Sequence, residues 1–212
     1  MSHQASRFVT QHMQQPIPDR NFNIRAVRRV KGAVDERMTY LFNGLTMNAA
    51  DALFEEAEHE QHLLERQFNI TRALKTRARV YREEFSILMN RSWANLIKAK
   101  DECAVADPGA ELSIVLRARA AGNTDHFKVL LEELRQRFST LVGQDLVYHP
   151  LLPVNFQRCF WYATEKLNLS YEERIMLLPL FNRFVMDRFG QVLSIANQSL
   201  IDIGIRIQTS NQ

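Results

Sequence analysis

The fold class is decided by residues 27–52, VRRVKGAVDERMTYLFNGLTMNAADA. Apolar side chains recur in this stretch at spacings of three and four residues, which places them on one face of a helix with 3.6 residues per turn. Gly32 and Gly44 lie inside the pattern, and each weakens a helix by about 1 kcal/mol relative to Ala. We therefore expect one long helix, with tight packing or a bend at these glycines. Its apolar stripe comprises Val27, Val30, Val34, Met38, Leu41, Leu45, Ala49 and Ala52.

A second apolar stripe follows and is out of phase with the first. No Gly or Pro occurs between Leu45 and Asp107, so no local signal other than the change of phase divides this region. A single helix of this length would leave much of both stripes uncovered. We therefore expect the chain to turn back near residues 58–62 and to form an antiparallel helical hairpin. The second stripe comprises Leu74, Ala78, Tyr81, Phe85, Leu88, Ser92 and Leu96.

Turn signals divide the rest of the chain. Asp107-Pro108-Gly109 ends the hairpin, and residues 149–153 (HPLLP) form an extended connector, because a residue before proline avoids the helical region. A capping box from Ser170 to Glu173 begins the last helix, which Pro179 should kink near its start. The helices predicted after the hairpin are 110–121, ended by Gly122; 124–142, ended by Gly143; 154–167; and 170–203.

The predicted architecture is an all-α bundle of about five to seven helices, with a long N-terminal helical hairpin and a long C-terminal helix. Residues 1–20 contain Pro16 and Pro18 and few residues that could anchor them, so we expect a flexible arm. The remaining boundaries are a single helical domain at 21–204, made of the hairpin at 21–100 and a helical subdomain at 110–204, and a frayed tail at 205–212.

The composition is typical of a globular protein. The chain has 212 residues, of which 46% are hydrophobic and 24% charged, and this length suffices to bury most of the apolar surface. Two widely separated cysteines, Cys103 and Cys159, indicate reduced thiols. The first 20 residues contain no apolar signal segment, and no apolar run is long enough for a bilayer, so we expect a cytoplasmic protein.

An acidic and histidine-containing segment, residues 55–62, is the nearest approach to a metal site. Glu56 and His59 have the Glu-x-x-His spacing of di-iron helical bundles. That chemistry needs a second such element and two further carboxylates, and the sequence has no second Glu-x-x-His. We therefore expect a solvated surface and predict no metal and no other cofactor; a metal-dependent enzyme is the least favoured alternative.

A basic ribbon is the main candidate binding site. Arg72, Lys75, Arg79 and Arg82 fall on one side of a continuous helix, where they could meet phosphates or an acidic partner. The alternative is that acidic residues of the other hairpin arm neutralise basic residues such as Arg66 and Arg72. Those acidic residues are Asp51, Glu55 and Glu58. The sequence leaves both interpretations open.

Other polar and aromatic groups point to no reaction. Residues 156–162 and 181–189 are rich in aromatic residues at helical spacing, which indicates that they belong to the core. Phe184 lies off the main stripe, so an exposed apolar groove at this residue is an alternative. Cys159 and His149 are close in sequence, but the Pro-rich connector gives no reason for contact, and no Gly-x-Ser-x-Gly or phosphate-binding loop occurs. A second basic cluster could steer an acidic partner, and it comprises Arg20, Arg25, Arg28, Arg29 and Lys31.

The Arg25-to-Arg29 spacing (Arg-x-x-x-Arg) matches half of the signature by which PilZ-type domains hold a cyclic dinucleotide. The other half, Asp/Asn-x-Ser-x-x-Gly, is absent, and such domains are β-barrels. We therefore reject this match.

Two stretches resemble a known family. They are ALFEEA at 52–57 with FNITRALKTRARVYREEF at 68–85, and LPLFNRFVMDRFGQVLSIANQSLIDIGI at 178–205. Both are similar to the N-terminal helical region of a bacterial domain-of-unknown-function family, number 1631, over about residues 35–205. The resemblance implies no activity and no catalytic residues. It also implies that longer relatives carry further domains, so that the chain is a short relative or a fragment.

These observations favour a non-enzymatic helical module that regulates or binds another protein, or a second copy of itself. Long amphipathic helices and the lack of a catalytic motif support this expectation. The alternatives are binding of nucleic acid or an anionic surface through the basic ribbon, and the metal-dependent enzyme considered above.

Overall fold

The computed structural model describes residues 20–55 and 61–207, and this part of the chain is entirely helical with connecting loops. The predicted all-α bundle is therefore confirmed. The described helices are α1 (Arg20–Glu55), α2 (Gln61–Thr76), α3 (Ala78–Ile97), α4 (Ala110–His126), α5 (Lys128–Val142), α6 (Pro153–Ala163), α7 (Tyr171–Phe184) and α8 (Phe189–Asp202), with 3₁₀ turns at Thr164–Leu167 and Met186–Arg188. There are more segments than predicted because two of the expected helices are broken. None of these helices is both long and apolar enough to cross a bilayer.

Helix α1 buries the predicted stripe along one face for its full 36 residues. All eight apolar residues of that stripe are buried, together with Phe42 and Leu53. The expectation of tight packing at the two glycines is wrong. A Cβ built on Gly32 or Gly44 would meet no described atom within 4 Å, and the helix is unbroken at both.

The antiparallel hairpin is confirmed by contacts between its arms. Gln67 Nε2 donates to the carbonyl of Leu53 at 2.7 Å, near the end where the chain reverses. Further along, the hydroxyls of Thr46 and Tyr81 are 3.3 Å apart. The predicted turn at 58–62 falls mostly on residues 56–60, which lie outside the described residues. The returning arm is two helices rather than one, because the backbone breaks at Arg77 between α2 and α3.

The predicted helix end at Gly122 is wrong, because α4 continues through this residue to His126. The break comes at Phe127, whose ring is buried against α8. A Cβ on Gly190 would lie only 2.8 Å from the Phe127 ring, so the missing side chain makes room for it. Gly143, by contrast, ends α5 as predicted, in the left-handed region with φ of 77°.

The predicted capping box is confirmed, since Ser170 and Glu173 each accept a hydrogen bond from the other's backbone amide. The single long C-terminal helix is wrong in detail. Pro179 lies inside α7, and the helix ends later, at Phe184. A 3₁₀ turn with a buried Met186 follows, and the chain resumes as α8, so that α7 and α8 each pack against α1.

One core joins the hairpin to the rest of the chain, and α1 lies at its centre. The Phe42 ring meets the rings of Tyr81 and Phe85 on α3, at centroid distances of 5.7 and 4.8 Å. It also lies 6.4 Å from Phe160 on α6 and 6.2 Å from Phe181 on α7.

The core extends to residue 205, which belongs to the predicted tail. This residue is buried, and its carbonyl accepts a hydrogen bond from α5. The domain boundaries proposed above remain predictions.

Replacing Phe42 by Ala should lower the free energy of unfolding by about 3–5 kcal/mol, because it opens a cavity where four aromatic rings meet. Chemical denaturation followed by circular dichroism measures this change. The control is Val129→Ala on α5, where the side chain is 72% exposed, and a change within about 0.5 kcal/mol is expected. Equal losses in the two variants would contradict the central position of Phe42.

Candidate functional site

The basic ribbon does not lie on one continuous helix. Arg72 and Lys75 belong to α2, whereas Arg79 and Arg82 belong to α3, and the break at Arg77 separates the two pairs. Arg72, Lys75 and Arg79 are exposed, and Arg82 is half-buried. The four side chains therefore line two successive helices, not a single straight edge.

Two of the four ribbon residues are engaged within the protein. Arg79 Nε lies 2.6 Å from the Glu83 carboxylate one turn later. Arg82 Nε donates to the carbonyl of Ala78 at 2.9 Å, and its guanidinium also donates to the side-chain oxygen of Asn43 on α1. Arg72 and Lys75 form no ion pair with another described residue.

The acidic residues of α1 do not neutralise the ribbon within the described part of the chain. Glu55 instead accepts a hydrogen bond from Arg183 on α7, at 3.2 Å. Asp51 is exposed and has no ion pair with a described residue, and Glu58 lies outside the described residues. Glu55 therefore joins α1 to α7, across 128 positions of sequence.

The second basic cluster gives α1 an asymmetric charge distribution. Arg25, Arg28 and Arg29 are exposed, as is Arg20, while Lys31 pairs with Asp35 one turn later. Residues 20–34 contain five basic side chains and no acidic one, and residues 38–55 contain two acidic side chains and no basic one. The helix is thus positive in its first half and negative at its end.

The metal candidate cannot be placed, because Glu56 and His59 lie outside the described residues. Within the described ranges, no three His, Cys, Asp or Glu side chains converge as metal ligands would.

The aromatic residues form core rather than a groove. Phe156, Phe160 and Phe181 are fully buried, and the rings of Phe160 and Phe181 stack at 3.9 Å. Phe184, where an exposed groove was left open, is 8% exposed, and the guanidinium of Arg183 lies 5.4 Å from its ring centroid. The prediction of core is therefore confirmed here, and the alternative of an exposed groove at Phe184 is excluded.

The two cysteines are free thiols gathered around one amide. Asn155 Oδ1 lies 3.6 Å from Cys103 Sγ and 4.0 Å from Cys159 Sγ. Burial raises the pKa of the Cys159 thiol well above its usual range, so the thiol stays protonated at neutral pH. A protonated, buried thiol is a poor nucleophile.

His149 lies at the edge of a small pocket that Ser92, Cys103, Tyr148 and Asn155 also line. Its ring packs against Phe138 at 5.6 Å, and neither ring nitrogen has a hydrogen-bond partner among the described residues. Burial, with a smaller effect from Arg135, lowers the pKa of His149 to about 3. The imidazole is therefore neutral at physiological pH.

The sequence analysis missed a line of exposed apolar residues on α1. Tyr40, Met47 and Phe54 lie on α1, opposite its buried face, with side chains 62%, 77% and 46% exposed. Their spacing is seven residues, which returns to the same side of a helix after two turns. This spacing was visible in the sequence, but the stronger buried stripe half a turn away obscured it.

The residues that share this side of α1 follow one another at alternating spacings of four and three. We refer to them as the outer face of α1: Ala33, Arg37, Tyr40, Gly44, Met47, Asp51 and Phe54. Exposed apolar surface continues onto α2 at Leu64 and Phe68. The Gln67-to-Leu53 hydrogen bond brings Phe68 to the level of Phe54, so the two helices present apolar side chains at the same end of the hairpin.

The buried His149 predicts a pH dependence of stability. Its pKa is about 3 in the folded chain, below the ordinary value of about 6.5 in the unfolded chain, so the unfolded chain binds more protons between these values. Stability is therefore lost as pH falls below about 6.5. From pH 7 to pH 5 the wild type should lose about 2 kcal/mol more than His149→Leu, measured by urea denaturation. Parallel pH profiles would contradict a neutral, buried imidazole.

The comparisons with known proteins give one match. The family model described as "Protein of unknown function (DUF1631) N-terminal domain" matches residues 23–204, which cover α1 to α8 apart from the first turn of α1. No curated protein and no solved structure matches the chain. The resemblance that the sequence suggested is thus confirmed, and the chain belongs to the DUF1631 family through the N-terminal domain of that family.

Proposed function

We propose that this chain is a non-enzymatic helical module that binds a protein partner through the outer face of α1 and the adjoining residues of α2. The observation that supports this most is the exposure of Tyr40, Met47 and Phe54 along one line. Full burial of a large apolar side chain is favourable by about 1.5–3 kcal/mol of free energy, so a partner that covers this line of residues would be bound favourably.

The form of the surface favours a helical occupant. Apolar side chains that recur every seven residues are the pattern by which one helix receives another along its length. The side chains between them are small or polar, namely Gly44 and Asp51, which leaves space between the apolar anchors. In this proposal the module regulates its partner by binding to it, without catalysing a reaction.

We also propose that the protein is located in the cytoplasm of a bacterial cell. Two thiols that remain unpaired, one of them half-buried in the loop after α3, are typical of a reducing compartment.

Replacing Met47 by Glu should abolish partner binding, because it puts a charge at the centre of the apolar line, while the exposed position leaves folding unaffected. Immobilised wild type, Met47→Glu and Val129→Glu are exposed to an extract of the source cell, and captured proteins are compared by quantitative mass spectrometry. Val129 is similarly exposed, at 72%, but lies on α5.

We expect wild type and Val129→Glu to capture the same proteins, and Met47→Glu to lose them. If all three variants captured the same set in equal amounts, the outer face of α1 would not be the binding surface and the proposal would fail.

Binding of nucleic acid or another phosphate polymer remains the alternative, supported by the exposure of Arg72 and Lys75. If all four ribbon residues contacted phosphates, a plot of the logarithm of the binding constant against the logarithm of the salt concentration would have a slope of about −3.6. The engagement of Arg79 with Glu83 and of Arg82 with Asn43 favours a structural use of the ribbon.

We therefore expect the wild type and an Arg72→Ala/Lys75→Ala variant to elute from heparin at the same low salt concentration. A wild type that binds tightly, and a variant that elutes at distinctly lower salt, would establish the alternative instead.

A further inference from the structure

The outer face of α1 contains a residue that the fold itself does not require. A Cβ on Gly44 would meet no described atom within 4 Å, so no neighbour in the fold explains the glycine. A glycine inside a helix weakens it by about 1 kcal/mol relative to Ala. Because no described residue fills the space beside Gly44, the backbone of another helix can approach α1 closely there.

The charges of α1 are also arranged against its own stability. The helix has basic side chains near its N-terminus and acidic ones near its C-terminus, and it has no acidic residue in its first turn and no basic residue in its last. The helix dipole favours the reverse arrangement, by about 0.3–1 kcal/mol for each well-placed charge. A second helix that runs antiparallel beside residues 33–55 would place an acidic residue of one copy, Asp51, beside a basic residue of the other, Arg37.

The geometry points to a second copy of this chain as the occupant, with the two α1 helices antiparallel about a twofold axis at Gly44. This inference rests on the proposed function and names its partner. Charge complementarity supports it at Arg37 and Asp51, which face each other across this axis when the helices are antiparallel, and a twofold interface requires such self-complementarity.

The register about Gly44 pairs unlike residues. Arg37 and Asp51 are each seven residues from Gly44, about 10 Å along the helix, so Arg37 of one copy faces Asp51 of the other on both sides of the axis. Tyr40 and Met47 are four and three residues away, so they meet across the interface. Phe54, ten residues from the axis, falls beside Ala33, which is eleven residues away on the other side. Arg37 thus opposes an acidic side chain, Phe54 a small one, and the two apolar residues nearest the axis meet each other.

Arg37 is positioned for this role. Its guanidinium lies 4.6 Å from the Tyr40 ring centroid, which holds it along the outer face, and one of its terminal nitrogens donates to Gln191 on α8. A guanidinium has five N–H donors, and the described hydrogen bond of Arg37 uses one terminal nitrogen. Its Nε is buried, so the other terminal nitrogen is the donor that remains for a carboxylate of the second copy.

The test is sedimentation equilibrium of the purified 212-residue chain, from about 1 to about 300 µM at low salt. We expect a monomer–dimer equilibrium with a dissociation constant of tens of micromolar, because the line of contact is narrow. Raising the salt concentration should weaken the dimer, since paired charges are screened.

Gly44→Gln is the decisive variant. It should fold, because a Cβ at this position meets no described atom within 4 Å, and it should raise the dissociation constant at least about tenfold by separating the helices. The matched control is Gly32→Gln, which is equally open in the monomer but lies off the outer face, and it should change the constant less than about twofold. Circular dichroism verifies that both variants are folded.

A charge exchange tests the register. Asp51→Arg should weaken the dimer by about tenfold, and the double variant Arg37→Asp/Asp51→Arg should restore it. A wild type that stays monomeric over the whole range, or a dimer that Gly44→Gln leaves unchanged, would overturn the inference. If the chain is monomeric but Met47→Glu still loses proteins captured by the wild type, the proposed function stands and only the identity of the partner is wrong.

Discussion

The burial of one face of α1 is the interaction on which the rest of the structure depends. This helix packs against α2, α3, α7 and α8, and its contact with α8 is the most extensive between any two elements of the described chain. The Phe42 ring alone meets aromatic rings from three other helices. Because a single helix supplies this shared surface, the hairpin and the C-terminal half have one core, and a loss at α1 affects both.

The same constraint determines which surface remains for a partner. A helix surrounded on one side by four others has only its opposite side in solvent, and that side of α1 has features that do not serve the fold. It has large exposed apolar residues, an unexplained glycine at position 44, and charges opposed to the helix dipole. Each of these weakens the isolated helix or exposes apolar area. A helix bound along this side would cover the apolar residues and use the space at Gly44, which is why one proposal covers both.

The parts of the fold that could be predicted are those with local causes. One-sided burial leaves a periodic stripe, which is why the stripe from Val27 to Ala52 was identified correctly, and the Ser170 capping box involves only four consecutive residues. The helix breaks at Phe127 and after Phe184 depend on tertiary packing, against Gly190 in the first case, and no local signal marks them. The partners of the candidate site were likewise unpredictable, since Glu55 pairs with a residue 128 positions away.

Two methionines of α1 allow a direct test of the claim that its inner face forms the core and its outer face receives a partner. Met38 is 5% exposed and Met47 is 77% exposed, nine residues apart on one helix. Initial rates of hydroxyl-radical oxidation are measured by mass spectrometry at low and high protein concentration. The account predicts fast oxidation of Met47 in dilute protein, strong protection of Met47 in concentrated protein, and slow oxidation of Met38 in both. Rapid oxidation of Met38 would contradict the burial of the inner face, and a Met47 rate independent of concentration would contradict binding of a second copy to the outer face.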